Sequence, residues 1–256
     1  MPARSPSGAK SLTQGLEVLR LLTESDRPLT ATAIATRLGV SVSTASRALG
    51  ALALAGYVRK PDYHSFAPAL GVLALAGNAR QQFEAVMAPR PILRGLADST
   101  PGLRWTLATL IDEQLVYLLQ LDADQEATGF SVGRYPLHLS SIALLILLQR
   151  GERAAIAALK ASRRRYGWER PGPMVPEDEA ACMQAVRTLC VDDILPLADW
   201  QKLGWLSAAT PVGIFHDQPI ILAIAGPLER YPVADALAQM ATAKGAVAAA
   251  LSSAAG

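Results

Sequence analysis

The stretch TATAIATRLGVSVSTASRALGALALAGYVRK, from Thr30 to Lys60, decides how the first part of this 256-residue chain folds. It reads as two short helices around a glycine, followed by a third apolar run. Thr30 is placed to cap a helix that carries Ile34 and Leu38 inward, and Gly39 stops it where left-handed backbone is wanted. Ser41 or Ser43 then caps a second helix reaching about Ala55, which Gly56 ends. At 100° per residue from Val42, the apolar Val42, Ala45, Leu49 and Leu52 fall within a sector of about 80°. Ser43, Thr44 and Arg47 lie on the opposite side. Beyond Gly56, YVRKPDYHSFAPAL reads as two short strands around a turn at Pro61–Asp62. Upstream, Leu12, Leu16, Leu19 and Leu22 recur at helical spacing and share one face, before Asp26–Pro28 breaks the pattern.

A polar helix face is ordinarily just solvated. Here the helix, short glycine turn and second helix have helix-turn-helix spacing, and the second helix of that motif meets the major groove with its N-terminal residues. Small hydroxyl side chains at Ser41, Ser43, Thr44 and Ser46 let a helix backbone come close to base edges. Arg47 can bond a guanine edge twice or grip a phosphate. The strand pair would form a wing with Arg59, Lys60 and His64 beside the DNA backbone. Charge placement agrees: residues 1–66 carry a net +4 and the remainder a net −2. Double-stranded DNA is therefore the expected partner of the first domain.

With 51% hydrophobic and 18% charged residues, the composition is globular and excludes a disordered or nucleic-acid-coating chain. Cys182 and Cys190, the two cysteines, give neither a disulfide framework nor the clustered spacing of a zinc site, so no metal or cofactor is expected. MPARSPSGAK (1–10) lacks an apolar signal-peptide core and is expected to be a flexible tail, with Arg4 and Lys10 in reach of a minor groove. The longest apolar run, Ile142–Leu148, is too short to span a bilayer. A reduced, cytoplasmic protein is the expectation.

Helical periodicity returns from Leu70 to about Ala88, a candidate linker helix, and Pro89 and Pro91 stop it. LRWTLATLIDEQLVYLLQL then reads as strand, turn at Asp112–Glu113, strand, and GIFHDQPIILAIAG as a second hairpin around His216–Gln218. Helical patterns occupy Ser140–Gln149, Glu177–Leu189 and Ala234–Leu251. His138 invites a catalytic or metal role, with Cys190 as a conceivable partner. Catalysis needs a base oriented by a third group, so a structural histidine bonding a nearby backbone group is preferred, and no enzyme activity is expected. Neither a P-loop nor a G-x-G-x-x-G follows a strand. Arg163–Arg165 reads as a solvated helix end. Tyr117, Trp105, Trp200 and Trp205 line a cavity or fill the core.

On these residues the chain resembles the IclR family of bacterial transcriptional regulators. SLTQGLEVLRLL (11–22) is similar to the family's opening helix, and Thr30–Lys60 to its winged helix-turn-helix. GRYPLHLSSIALLILL (133–148) is similar to the segment leading into a ligand-domain helix, and GWLSAATPVGIFHDQPIILAIAGP (204–227) to the paired strands that follow. The resemblance implies an α+β fold: an N-terminal winged helix-turn-helix (11–69), a linker helix (70–88) used in dimerisation, and a C-terminal GAF-like antiparallel-sheet domain (89–256) that binds an effector. It implies a ligand-responsive regulator, a repressor by expectation, acting on palindromic operators as a homodimer or a dimer of dimers. Two recognition helices would then lie about 34 Å apart, and residues 70–88 would carry the ligand's effect. The implied effector is a small organic acid, aromatic acids included. Carried onto this chain, its site comprises the amides at Ser141 and Ile142 (a helix N-terminus suited to a carboxylate), Tyr117, His138, Asp199, Trp200, Ser207, Ala223 and Ala225. Ala223 and Ala225 stand where the family has serines, and Trp200 where it has glutamate, which points to a larger, more apolar ligand. The competing class is a winged-helix interaction or dimerisation module with no ligand.

Overall fold

The computed structural model of the chain describes residues 7–83, 87–124, 126–133 and 135–254. The chain divides into two compact units, Met1–Phe83 and Glu84–Gly256.

The first unit holds helices α1 (Ser7–Thr23), α2 (Ala31–Leu38), α3 (Val42–Leu54) and α4 (Leu70–Gln82) with strands β1 (Leu29–Thr30), β2 (Val58–Arg59) and β3 (Ser65–Pro68). Its punctuation follows side-chain chemistry. Thr30 Oγ1 accepts the Ala33 N–H at 3.2 Å and starts α2. Gly39, at φ +64°, ends α2 in the left-handed region where a side chain would strain the backbone. Of the two serines able to cap α3, Ser41 does so. The core is Val18, Leu22, Leu29, Ile34, Ala35, Ala45, Leu49 and Val58. Three expected core residues differ. On α1 only the C-terminal half has partners, so Val18 and Leu22 are buried while Leu12 and Leu16 are 67% and 59% exposed. Val42, in the first turn of α3, is also exposed. The sheet runs β1-β3-β2, so β1, two residues long and not foreseen, joins the two strands of the wing. Helix α1 begins at Ser7, inside the expected tail, while Arg4 lies outside the described residues.

The second unit is a six-stranded antiparallel sheet between two helical layers. Its strands are β4 (Arg104–Ile111), β5 (Gln114–Leu121), β6 (Glu126–Gly133), β7 (Leu195–Ala198), β8 (Trp205–Phe215) and β9 (Gln218–Pro227). The sheet order is β6-β5-β4-β9-β8-β7. Both expected hairpins form, their turns made by Asp112–Glu113 and His216–Asp217, all four at positive φ. That is the twist-matched geometry of two-residue hairpins. Helices α5 (Arg90–Ser99) and α9 (Val233–Ala254) cover one face through Leu93, Ala97, Ala236, Met240 and Val247, packed on Trp105, Leu107, Leu222 and Ile224. Helices α6 (Ser141–Gln149), α7 (Glu152–Tyr166) and α8 (Glu179–Leu189) cover the other through Ile142–Leu147, Ala155, Leu159 and Val186. Alternation along each strand sends successive side chains to the two layers. Pro91 does not stop a helix but sits in the first turn of α5, where its missing N–H costs nothing. Helix α5 and strands β6 and β7 were not expected from the sequence, and of α7 only its basic end was. Arg163–Arg165 do form a helix end, the last turn of α7, where Arg163 pairs with Glu179 at 3.5 Å. No described helix is long and apolar enough to cross a membrane.

Candidate functional sites

On the first unit, α3 presents its polar stripe to solvent. Ser41, Ser43, Ser46 and Arg47 are exposed and Thr44 is half-buried. Ser41 Oγ accepts the Thr44 N–H at 3.1 Å and lies 2.9 Å from Ser43 Oγ and 2.8 Å from Thr44 Oγ1. One cap oxygen thus ties the three hydroxyls into a cluster at the helix start. In the wing, the turn is built by Asp62, whose carboxylate accepts the His64 N–H at 2.8 Å, the Ser65 N–H at 2.7 Å and the Ser65 hydroxyl at 2.5 Å. Those bonds, the serine hydroxyl first, hold the Asp62 carboxyl below its ordinary range. Lys60 Nζ rests 5.1 Å above the Phe66 ring, and His64 meets Tyr63 edge-on at 4.8 Å. Arg59 and Lys60 are exposed. Among the described residues Arg47, Arg59 and Lys60 make no ion pair, so the unit offers three cations to an external anion.

The second unit contains a cavity of about 450 Å³ on the α6 side of the sheet. Register explains its lining. Arg104 on β4, Ala225 on β9 and Ser207 on β8 are successive cross-strand partners, and in the next row so are Gln120, Thr106 and Ala223. Two alanines on the central strand therefore make the floor of a trough with polar residues on both flanks. Tyr117 reaches the same face through a β-bulge: Tyr117 pairs with Ala108 and Leu119 with Leu107, leaving Leu118 extra. The extra residue reverses the alternation, so Tyr117 and Gln120, three apart, face one way. Ser140, Ser141 and Ile142 at the start of α6, with Tyr135, Gln201 and Trp205, complete the wall.

The chemistry of this wall is rich in donors. Ser140 caps α6, its hydroxyl accepting the Ala143 N–H at 3.2 Å, while its carbonyl takes the Leu144 N–H at 2.9 Å. The preceding amides, of Ser141 and Ile142, belong to the turn that has no intrahelical acceptor. Ser207 Oγ is buried without a hydrogen-bond partner. Burial raises the Tyr117 phenol, opposed by the Arg104 charge, and burial with the neighbouring Tyr117 pushes Tyr135 up to about 12. Both stay protonated and can donate. The Arg104 guanidinium meets Asp122 Oδ2 from Nε at 3.3 Å and Nη2 at 3.2 Å, and Arg94 donates to the Asp122 carbonyl at 3.0 Å.

Of the expected effector residues, Tyr117, Ser141, Ile142, Ser207, Ala223 and Ala225 are brought together here. His138, Asp199 and Trp200 are placed elsewhere. The His138 ring is fully buried, bonds the Glu169 carbonyl from Nε2 at 2.8 Å and stacks on Trp168 at 4.0 Å. Asp199, at φ +54°, accepts the Gly204 N–H at 2.6 Å. Trp200 is 1% exposed in the core, and its Nε1 donates to the His138 carbonyl at 2.8 Å. The aromatic candidates divide: Tyr117 and Trp205 line the cavity, while Trp105 and Trp200 are core. Arg104, Thr106, Gln120, Asp122, Tyr135 and Gln201 were missed. Their signal was present, since Arg104/Thr106 and Gln120/Asp122 are polar at two-residue spacing in otherwise apolar strands. Among the described residues no group of three or more His, Cys, Asp or Glu side chains could hold a metal ion.

Residues 11–62 match the sequence profile of the IclR helix-turn-helix domain. The whole fold is similar to that of solved IclR-family proteins. One, a transcriptional regulator from Brucella abortus, is 20% identical with a TM-score of 0.76, over 99% of this chain and 96% of its own. A regulator from Alicyclobacillus acidocaldarius is 20% identical with a TM-score of 0.70, over 96% and 99%. An IclR homolog from Microbacterium hydrocarbonoxydans, solved in complex with 4-hydroxybenzoate, is 18% identical with a TM-score of 0.70, over 95% and 99%. Comparison with curated protein sequences gives no match.

Proposed function

We propose that this chain is a transcriptional regulator of the IclR family, which reads operator DNA through α3 and answers to a small organic acid held in the cavity of its second unit. The observation that carries the DNA half is the exposed Ser43, Ser46 and Arg47 face of α3, flanked by the unpaired Arg59 and Lys60 of the wing. Ser43 and Thr44 would pack against base edges, Arg47 would bond a guanine or a phosphate, and the wing cations would hold the backbone. Ser41 and His64 fit less direct roles, the one capping the helix and the other packed on Tyr63.

The cavity supports an acid as effector. Two helix-start amides and protonated phenols favour a carboxylate, and the unpartnered Ser207 hydroxyl suits a second polar group. Its volume accommodates a ring, and a relative of the same fold holds 4-hydroxybenzoate. A homodimer is the working assembly we infer. Leu70, Leu73 and Leu75 of α4 are at least half exposed within their unit, as are Leu12 and Leu16 of α1, and apolar residues in that number call for a partner surface. Such a dimer, or a pair of dimers, would bind palindromic operators and repress the adjoining genes from the cytoplasm. An acid in the cavity alters DNA affinity only by favouring one dimer arrangement over another.

The deciding experiment is fluorescence anisotropy of the purified protein on DNA from upstream of its own and neighbouring genes, across a salt series, with Arg47→Ala in parallel. Saturable binding that prefers one fragment is expected. Arg47→Ala should weaken it by about 1–3 kcal/mol if Arg47 reads a base, or lower the salt slope by about 1 if it holds a phosphate. Equal binding to every fragment, insensitive to salt and to the substitution, would refute the DNA-reading role and leave an interaction module.

A further inference from the structure

We infer that the tight turn Asp199–Gly204, between β7 and β8, positions the carboxylate cradle of the cavity, with Trp200 as a positioning residue that never touches the ligand. The inference rests on the acid-binding role proposed above and assigns the residues that set its geometry. The cradle begins at Ser141, directly after a single 3-10 turn, Leu137–Leu139. Two successive carbonyls of that turn accept side-chain donors from two successive residues of the β7–β8 turn: Trp200 Nε1 to His138 O at 2.8 Å, and Gln201 Nε2 to Leu139 O at 2.6 Å. These bonds fix the two peptide planes immediately before Ser140. Ser140 is itself locked, its N–H on Leu137 O at 3.2 Å and its hydroxyl capping α6. The Ser141 and Ile142 amides follow with little freedom.

The turn that supplies the donors is itself held fast. Asp199 closes it with its carboxylate on the Gly204 N–H and its own N–H on Trp205 O at 2.9 Å. The carbonyls of Asp199 and Trp200 lie so close to Gly172 that no Cβ fits there. Its next residues, Gln201 and Trp205, stand in the cavity wall. Wall and cradle are thus set by one rigid turn.

The test is isothermal titration of the full-length protein with benzoate and with benzamide, its neutral near-isostere, for the wild type, Trp200→Phe and Gln201→Met. The wild type should prefer benzoate. Trp200→Phe keeps an aromatic ring but loses the donor, so benzoate affinity should fall on the order of tenfold while benzamide stays within about twofold. A packing role alone would weaken both probes alike and preserve the preference. Gln201→Met removes the neighbouring donor and should reduce the same preference, which keeps the test alive should Trp200→Phe fail to fold. A benzoate preference retained in each folded variant overturns the inference but leaves acid sensing intact. A wild type that does not prefer benzoate overturns acid sensing, and the inference with it.

Discussion

Replacing Ser41 separates capping from base reading, because the two roles ask different things of the same oxygen. Ser41 Oγ accepts the Thr44 N–H at 3.1 Å and is the shared partner of the Ser43 and Thr44 hydroxyls. Ser41→Ala removes the acceptor and should cost about 1 kcal/mol of α3 stability, roughly a fivefold rise in the population of the opened helix. Asparagine caps about as well as serine, so Ser41→Asn should restore the helix. Hydrogen exchange read by mass spectrometry on peptides covering Val42–Leu54 measures this within the intact chain. Exchange should quicken about fivefold in the alanine variant and return to the wild-type rate in the asparagine variant. Specific DNA affinity should follow helix order: reduced for alanine, near wild type for asparagine. Unchanged exchange in Ser41→Ala would refute the capping role. A Ser41→Asn variant that keeps α3 ordered yet loses preference for the operator fragment would show instead that Ser41 reads bases itself.

Two further outcomes test the second unit. His138 is buried, and burial pulls its pKa below the ordinary 6.5, with the Glu169 carbonyl opposing. As pH falls through about 6.5 the unfolded chain therefore takes up a proton that the folded protein resists, and stability present above that pH is progressively lost. Denaturant midpoints should drop between about pH 7.5 and 5.5, and His138→Gln should flatten that slope; an equal slope in the variant would show that His138 does not titrate differently on folding. The thiols should also differ. Cys182 is fully buried and pushed up to about 12 by burial, whereas Cys190 is half-buried and raised less. A thiol reagent at mildly alkaline pH should label about one group in the native protein, and Cys190→Ser should remove that phase; rapid labelling of Cys182 would contradict its packing.

The first unit was legible because its decisions are local. Thr30, Gly39 and Ser41 each settle a helix boundary through one hydrogen bond or one backbone angle, and each acts within four residues of itself. The errors there came from tertiary context: Leu12 and Leu16 have the same periodicity as Leu19 and Leu22, but only the latter have a core to meet. Helix α7 shows the reverse failure. Arg153, Lys160 and Arg163–Arg165 crowd its exposed side, and the buried stripe is the short Ala155, Ala158, Leu159 and Ser162, in which only Leu159 is a large apolar residue.

The cavity was half legible for a reason specific to sheets. Residues in one strand reveal which face they occupy, but not which residues of other strands lie beside them. Ser207 and Arg104 are about a hundred residues apart and flank the same alanine, Ala225, only because β9 lies between β4 and β8. Tyr117 would have been assigned to the opposite layer by strict alternation with Gln120, and one unpaired residue, Leu118, corrects it. Trp200 illustrates the converse. Standing where the IclR resemblance puts a glutamate of the ligand site, it was expected to line the cavity, but a left-handed Asp199 turns the chain so that the indole enters the core and Gln201 takes the wall. Where a bulge and a tight turn each redirect one side chain, the composition of the cavity follows from register, and register is settled by strand order rather than by any single segment.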